Sequence, residues 1–335
     1  MPSPAAVVLP VLLVWAVAPG PDQVVFRFQD PAVVESSGLV VQDGRFVTVN
    51  DSGNPPVLFG VDPVTGRTRE TVEWGEQNVD AEALAPASDG DVWVGDIGDN
   101  DADRSTISVT RVGIGDGSEP EAYRLAYPDG SHDAETLLAD PVGGRLLVVT
   151  KGLLGGEVYA APKVLDPQSV NRLTPVGRVL GVATDGAFLP DGRHVILRDY
   201  SRAVVYGFPD LEPVGEFDLP PQPQGEALAV DSDGSIYVGS EGVGTPVYRV
   251  ELPDRVARAI APDPGRDPVP PSVPPSGQTS GQGSAEPADQ PTTRSSDGPG
   301  EGPGHLGSRA WAIIVLAVAA AAGGLGLRQA RRRKG

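Results

Sequence analysis

The sequence predicts an all-β fold, a five-bladed β-propeller, followed by a disordered stalk and one C-terminal transmembrane helix. The first observation behind this is a motif that returns. Asp80-Ala-Glu-Ala-Leu-Ala85 comes back as Asp133-Ala-Glu-Thr-Leu-Leu138 and as Gln224-Gly-Glu-Ala-Leu-Ala229, with weaker copies at Glu35-Ser-Ser-Gly-Leu-Val40 and Ala183-Thr-Asp-Gly-Ala-Phe188. The key residues Ser37, Glu82, Glu135, Asp185 and Glu226 are spaced by 45, 53, 50 and 41 residues, the period of a propeller blade. The second observation is that a turn, a β-rich run and a polar cluster follow each copy. The turns are Asp43-Gly44, Asp89-Gly90, Gly143-Gly144, Asp191-Gly192 and Asp233-Gly234, all strong hairpin signals between apolar runs. The third is composition: 43 Gly, 35 Pro and no Cys in 335 residues, enough chain for one sizeable domain plus flanks.

Taken in order, residues 1–20 read as a secretory signal, with an apolar run from Ala5 and small residues at Ala16 and Ala18 for cleavage. The missing Lys and Arg before that run, and Pro19 after the cut, favour the alternative of an N-terminal anchor. Residues 22–262 form the propeller, and residues 24–28 close the ring against the last blade. Each unit reads as four strands; in the second they are 82–85, 91–95, 106–112 and 122–126. A six-bladed ring is the alternative if residues 24–28 and 255–261 make a degenerate blade of their own. Residues 263–308 are rich in Pro, Gly, Ser and acids and read as a disordered linker, spanning roughly 40 Å as a flexible coil. Residues 309–335 hold the membrane helix, with 17 uncharged residues from Trp311 to Leu327 and a basic tail from Arg328 to Lys334. The positive-inside rule puts that tail in the cytoplasm and the propeller outside. The expected location is therefore the cell membrane, single-pass, with an extracellular domain.

Charge narrows the partners. Six of the bases lie after Ser308, leaving 20 bases against 45 acids in the rest of the chain. Nucleic acid is excluded as an expected partner, and metal cations are favoured as ligands. In a propeller the first strand of each blade lines the channel and the second runs antiparallel to it, so the key residues and the polar clusters converge on one mouth. Four carboxylates and a hydroxyl there cannot all stay ionised unaided. Two readings stay open. In one, a divalent cation sits among Ser37, Glu82, Glu135, Asp185 and Glu226; oxygen donors without His or Cys select Ca²⁺. In the other, the carboxylates accept backbone N–H bonds and tie the blades together. Lys151 and Arg198, the bases of the polar clusters, and Asn50 are candidates to bind a small anionic ligand; the two bases serve equally well as partners of the ring acids. Asp99, Asp101 and Asp103 have the spacing of a calcium loop, but Arg104 stands where Gly is needed, so a solvated loop is expected. His132 reads as an exposed turn histidine.

The series Ser-Gly-Leu, Asp-Ala-Glu, Asp-Ala-Glu, Asp-Gly-Ala-Phe and Gln-Gly-Glu-Ala-Leu-Ala resembles the SdiA-regulated family of five-bladed propellers and, more distantly, the calcium-activated apyrases. The resemblance covers about residues 24–252 by short motifs. It implies a channel Ca²⁺ held by Ser37, Glu82, Glu135 and Glu226, with Asp185 where those families have Ser. The apyrase likeness implies a catalytic role for Asp51, in Asn50-Asp-Ser-Gly53, and phosphate contact for Lys151. A tight turn is the competing reading of that tetrapeptide. Two functions follow: a surface ligand-binding module with a Ca²⁺ site, or a Ca²⁺-dependent hydrolase of phosphate esters or anhydrides. Whether the protein is an enzyme stays undecided at this level. Under the hydrolase reading, Asp51→Asn abolishes turnover and leaves metal affinity nearly intact.

Overall fold

The five predicted turns close as tight hairpins because a glycine in each supplies the left-handed backbone. Gly44, Gly90, Gly144, Gly192 and Gly234 have φ of 73°, 86°, 67°, 61° and 85°, values that a side chain would oppose. The computed structural model describes residues 22–261 except 43, 76 and 116. The segments read from the sequence as signal, linker and membrane helix with its tail lie outside the described residues. Among the described residues, no helix is long and apolar enough to cross a membrane.

The hairpins build five antiparallel blades, each walking outward from an inner strand. A first strand, β1 (Asp22–Arg27), waits for the end of the chain. Blade one is β2 (Ser36–Gln42), β3 (Arg45–Asn50), β4 (Val57–Val61) and β5 (Thr68–Glu73). Blade two is β6 (Ala81–Pro86), β7 (Val92–Asp96), β8 (Ile107–Val112) and β9 (Glu121–Ala126), close to the strands expected there. Blade three starts with β10 (Ala134–Ala139), β11 (Leu146–Thr150) and β12 (Gly156–Ala160). The chain then crosses back as β13 (Val170–Arg172), which pairs parallel with β9, before β14 (Thr174–Val179) completes blade three. Blade four is β15 (Asp185–Phe188), β16 (His194–Arg198), β17 (Arg202–Gly207) and β18 (Pro213–Asp218). Blade five is β19 (Ala227–Val230), β20 (Ile236–Gly239), β21 (Pro246–Val250) and, outermost, β1.

The pairing of β1 with β21 joins Val24 to Tyr248 and Phe26 to Val247. It closes the ring as expected and leaves the last blade without a missing strand. The segment at 255–261 is no strand: α1 (Asp254–Ile260) lies against β18 and buries Val256 beside Phe217 and Leu219. That settles the blade count at five.

Between neighbouring blades lie five apolar clusters, one per interface. Val40, Val47 and Leu58 pack against Leu84 and Val94 between blades one and two; Phe26, Phe28 and Phe46 sit between blades five and one. The inner strands approach so closely that small residues are required. A Cβ on Gly38 would stand 2.6 Å from the backbone nitrogen of Leu84. Gly38→Ala is therefore expected to cost about 1–3 kcal/mol through overpacking, read as a lower urea midpoint with an unchanged slope.

Candidate functional site

The inner strands do more than line the channel. In blades one, two and three the pairing with the second strand slips by one residue. The partners run Ser36–Asn50 then Gly38–Val49, Ala81–Asp96 then Ala83–Gly95, and Ala134–Thr150 then Thr136–Val149. The extra residue of each bulge is Ser37, Glu82 and Glu135, three of the five residues that the repeat singles out. A bulge frees a residue from the ladder and re-aims its side chain. In blade four Asp185 pairs in register with Arg198, and in blade five Glu226 immediately precedes the strand.

The bulged residues meet the polar clusters at one mouth. Asp51, from the end of β3, comes beside Asp80 and Glu82 at the start of β6, and one oxygen from each lies within 4.8 Å of the others. Asn78 holds this arrangement: its Nδ2 donates to the carbonyl of Asp51 at 2.8 Å, and its Oδ1 accepts from the Ala81 N–H at 2.9 Å. Asp96 accepts from the N–H groups of Val79 and Asp80 and is neutralised by Arg104 at 2.7 Å. Beside the trio, Lys151 pairs with Glu135 Oε1 and stands 5.5 Å from the centre of the Tyr200 ring. Ser37 Oγ donates to Glu226 Oε2 at 3.4 Å, and Gln224 donates to Oε1 at 3.0 Å. Glu241 completes the mouth, close enough to Glu226 for the two carboxyls to interact.

The electrostatics follow from burying so many acids together. Burial lifts the Asp51 carboxyl to about 6, although the Ser52 N–H opposes it. Asp80 is raised by burial too, against a hydrogen bond from Ser52. Glu82 is pushed well above the usual carboxylate range by burial and then by the charges of Glu135, Asp51 and Asp80. Glu135 rises to about 8 from burial, with Lys151 pulling the other way. Glu241 rises to about 9 from burial and from the neighbouring carboxylate of Glu226. Burial works against the charge of Lys151, but Glu135 outweighs it and holds the ammonium protonated.

The residues present fit a hard cation. Two oxygens bound to one Ca²⁺-sized ion stand up to about 5 Å apart, which the trio satisfies. Glu135 Oε2 is buried and lacks a hydrogen-bond partner among the described residues, an orphaned acceptor that a cation would satisfy. No His or Cys enters the set, which excludes the donors that favour zinc.

Three predicted site residues are committed to the scaffold. Asp185, wholly buried, accepts from the Leu228 N–H at 2.6 Å and the Gly186 N–H at 2.8 Å, so its carboxylate ties blade four to blade five. Burial lifts it well above the usual range, against those two bonds and Arg198. Arg198, wholly buried, donates to the carbonyls of Asp199, Ala227 and Gly239 and to Gln222 Oε1; burial lowers it to about 10. Asn50 accepts from the Val34 and Glu35 N–H groups at 3.1 Å and donates to the Ala32 carbonyl at 2.8 Å. It clamps the entry of β2 to the end of β3.

Asp80, Asn78, Tyr200 and Glu241 join the mouth without being expected there as site residues. Three of these had a signal: Asp80 opens the Asp-Ala-Glu repeat, and Tyr200 and Glu241 sit in polar clusters already placed at the mouth. Asp99 caps its own loop by accepting the N–H groups of Asp103 and Arg104, in keeping with a turn and not a calcium loop. His132 differs from the exposed turn residue expected: it stands 4.9 Å from the Tyr127 ring and 5.4 Å from the Tyr159 ring, and its Nε2 is 3.1 Å from Asp129.

Fold and mouth together define a class: a five-bladed β-propeller with an oxygen-rich, acidic channel mouth. Among solved structures the chain is similar to glutaminyl cyclase from Myxococcus xanthus, at 13% identity, TM-score 0.47, over 69% of this chain and 96% of that one. It is similar to XC5397, a gluconolactonase from Xanthomonas campestris, at 15% identity, TM-score 0.43, over 70% and 85% of the two chains. A chain of the nidogen/laminin complex matches at 14% identity, TM-score 0.41, over 62% and 73%. Likeness at this level carries no argument about activity. No protein-family model matches the chain, and no curated protein matches it. The resemblance to the SdiA-regulated family and the apyrases therefore rests on the motifs alone.

Proposed function

We propose that the mouth holds one divalent cation, Ca²⁺ by its donor chemistry, and that the loaded mouth captures a small anionic ligand. Asp51, Asp80 and Glu82 would hold the ion, with Ser37, Glu135 and Glu226 beside them. The observation that carries this reading is the convergence of three carboxylates from two blades, next to a buried glutamate oxygen with no other partner. When bound, the ion would polarise an oxygen of the ligand. Lys151 supplies a second positive charge at the same mouth and would pair with a carboxylate or phosphate group. Asn78 and the Asp96–Arg104 pair hold the loops that present these groups. The signal segment, linker and membrane helix read from the sequence would display the propeller outside the cell, as a surface binding module.

A second reading is hydrolysis of phosphate esters or anhydrides. It is favoured by the three clustered carboxylates and the Lys151 ammonium, paired with Glu135 at the same mouth, since a bound cation and an ammonium would together suit the charge that develops on a transferred group. A panel of phosphoesters and nucleotides, assayed with and without Ca²⁺, separates the two: turnover lost in Lys151→Met would favour hydrolysis, and binding without turnover the module.

Calorimetric titration of Ca²⁺ into the chelator-stripped protein tests the shared premise. One site is expected. Because Asp51 belongs to the trio, Asp51→Asn is expected to weaken that site about tenfold or more, the effect of losing one charged oxygen ligand. This departs from the motif-based expectation that Asp51→Asn spares metal affinity. An absence of heat in the wild type would leave the carboxylates as hydrogen-bond acceptors that tie blades together.

A further inference from the structure

On the face opposite the mouth, blades two and three part to leave a cleft of about 620 Å³, within the range of small-ligand pockets. Its chemistry is the reverse of the mouth's. The loop after β12 brings Lys163 and the hairpin before β11 brings Arg145 to its lining. Both are exposed, and neither has an ion pair or side-chain hydrogen bond among the described residues. In a chain of net charge −19, two unneutralised cations on one cleft are a feature to explain. Arg111 also lines it but is already neutralised by Asp91 at 2.7 Å and Asp89 at 3.6 Å. The lining acid, Asp140, commits Oδ1 to the N–H groups of Val142 and Gly143.

The floor is aromatic. Trp93 and Tyr123 stand with ring centres 5.7 Å apart and planes at 56°, partly buried against the core between the two blades. Two touching rings at that angle leave no slot for a flat base between them. Their shape suits a puckered ring that presents an apolar face. The walls contribute Pro86, Pro141 and Pro162, which have no backbone N–H to offer a peptide's carbonyls. Flat apolar faces with cations at the rim suit a sugar ring that carries carboxylate groups.

We propose that this cleft binds a short acidic oligosaccharide, its rings resting on Trp93 and Tyr123 and its carboxylates on Arg145 and Lys163. The assignment is independent of the mouth and of any metal there. The test is calorimetric titration of the full chain, in chelator, with trigalacturonate as probe, against neutral maltotriose, hexaglutamate and ATP. Trigalacturonate is expected to bind, and to weaken with added salt as an ion-paired ligand must. Lys163→Glu and Arg145→Glu, both at exposed positions, are each expected to weaken it at least about tenfold, with melting temperatures unchanged. Trp93→Phe is expected to weaken it while leaving the salt dependence intact. The proposal is overturned if trigalacturonate fails to bind, if maltotriose binds equally well, if the charge reversals leave affinity unchanged, or if hexaglutamate or ATP competes at equal affinity.

Discussion

In chelator, the propeller is expected to lose stability as the pH rises from about 5 to about 9, and Ca²⁺ is expected to restore it. The sign follows from the mouth. Asp51 at about 6, Glu135 at about 8 and Glu241 at about 9 all lie above their ordinary values of 3.8 and 4.5. Between the ordinary and the raised value, the folded protein keeps a proton that the unfolded chain has released. Stability then falls with pH across each window: to about 6 for Asp51, to about 8 for Glu135 and to about 9 for Glu241. Lys151, raised above its ordinary 10.5, stays charged in both states over this range and adds no slope. A divalent cation replaces the protons as the source of neutralisation, so its effect is largest where the protons are lost. At about 100 times its dissociation constant, Ca²⁺ contributes about 2.7 kcal/mol, which for a domain of this size raises the melting temperature by about 5–10 °C. Thermal melts at pH 5.5, 7.0 and 8.5, with chelator or with Ca²⁺, measure both effects. Glu82→Gln is expected to abolish the Ca²⁺ increment. A melting temperature that stays flat from pH 5.5 to 8.5 in chelator would refute this account of the mouth.

Replacing Lys151 carries the second large effect. Glu135 is almost fully buried; Lys151 occupies its Oε1, and its Oε2 has no partner among the described residues. Above about pH 8, where Glu135 is ionised, Lys151→Met strands that carboxylate with both oxygens unpaired among the described residues. Breaking a buried pair from one side costs about 3–5 kcal/mol, which urea unfolding at pH 9 in chelator would show as a large drop in midpoint, shrinking at lower pH as the lone carboxyl takes up a proton. The double variant Lys151→Met/Glu135→Gln is expected to recover most of the loss, because a neutral amide needs no counter-charge. Lys151 is also a tethered cation at the site where an ion would sit. Removing it frees Glu135 as a ligand, so Ca²⁺ affinity in Lys151→Met is expected to rise. Destabilisation accompanied by unchanged or weaker Ca²⁺ binding would mean that Glu135 takes no part in holding the ion.

The bulge positions at the candidate site were legible because their signals are short-range in the chain. The acid of each Asp-Ala-Glu motif falls at the bulge in blades two and three, and Ser37 does the same in blade one. Asp185, their equivalent by repeat position, sits differently for a local structural reason. Its strand carries no bulge there, and the carboxylate is held by the backbone of the neighbouring blade. Arg198 and Asn50 look like ligand contacts when judged by residue type and position. Their hydrogen bonds reach 29 and 18 residues along the chain, to Ala227 and Ala32, distances over which a linear motif carries no information.

By itself, then, the sequence determined the all-β class, the blade repeat with a count of five or six, the closing of the ring by the first strand, and which mouth gathers the acids. These depend on a repeat period, on turn glycines and on strand direction, all set within a few dozen residues. Only the tertiary structure decided which oxygens share a site. Asp51 and Asp80 belong to different blades and meet because the packed blades bring the end of one second strand beside the start of the next inner strand. It also decided that residues 254–260 turn helical against β18, and that two cations and two aromatic rings share a cleft on the far face. Burial, side-chain direction and the matching of donors to acceptors are properties of the packed ring, and no stretch of the chain read alone contains them.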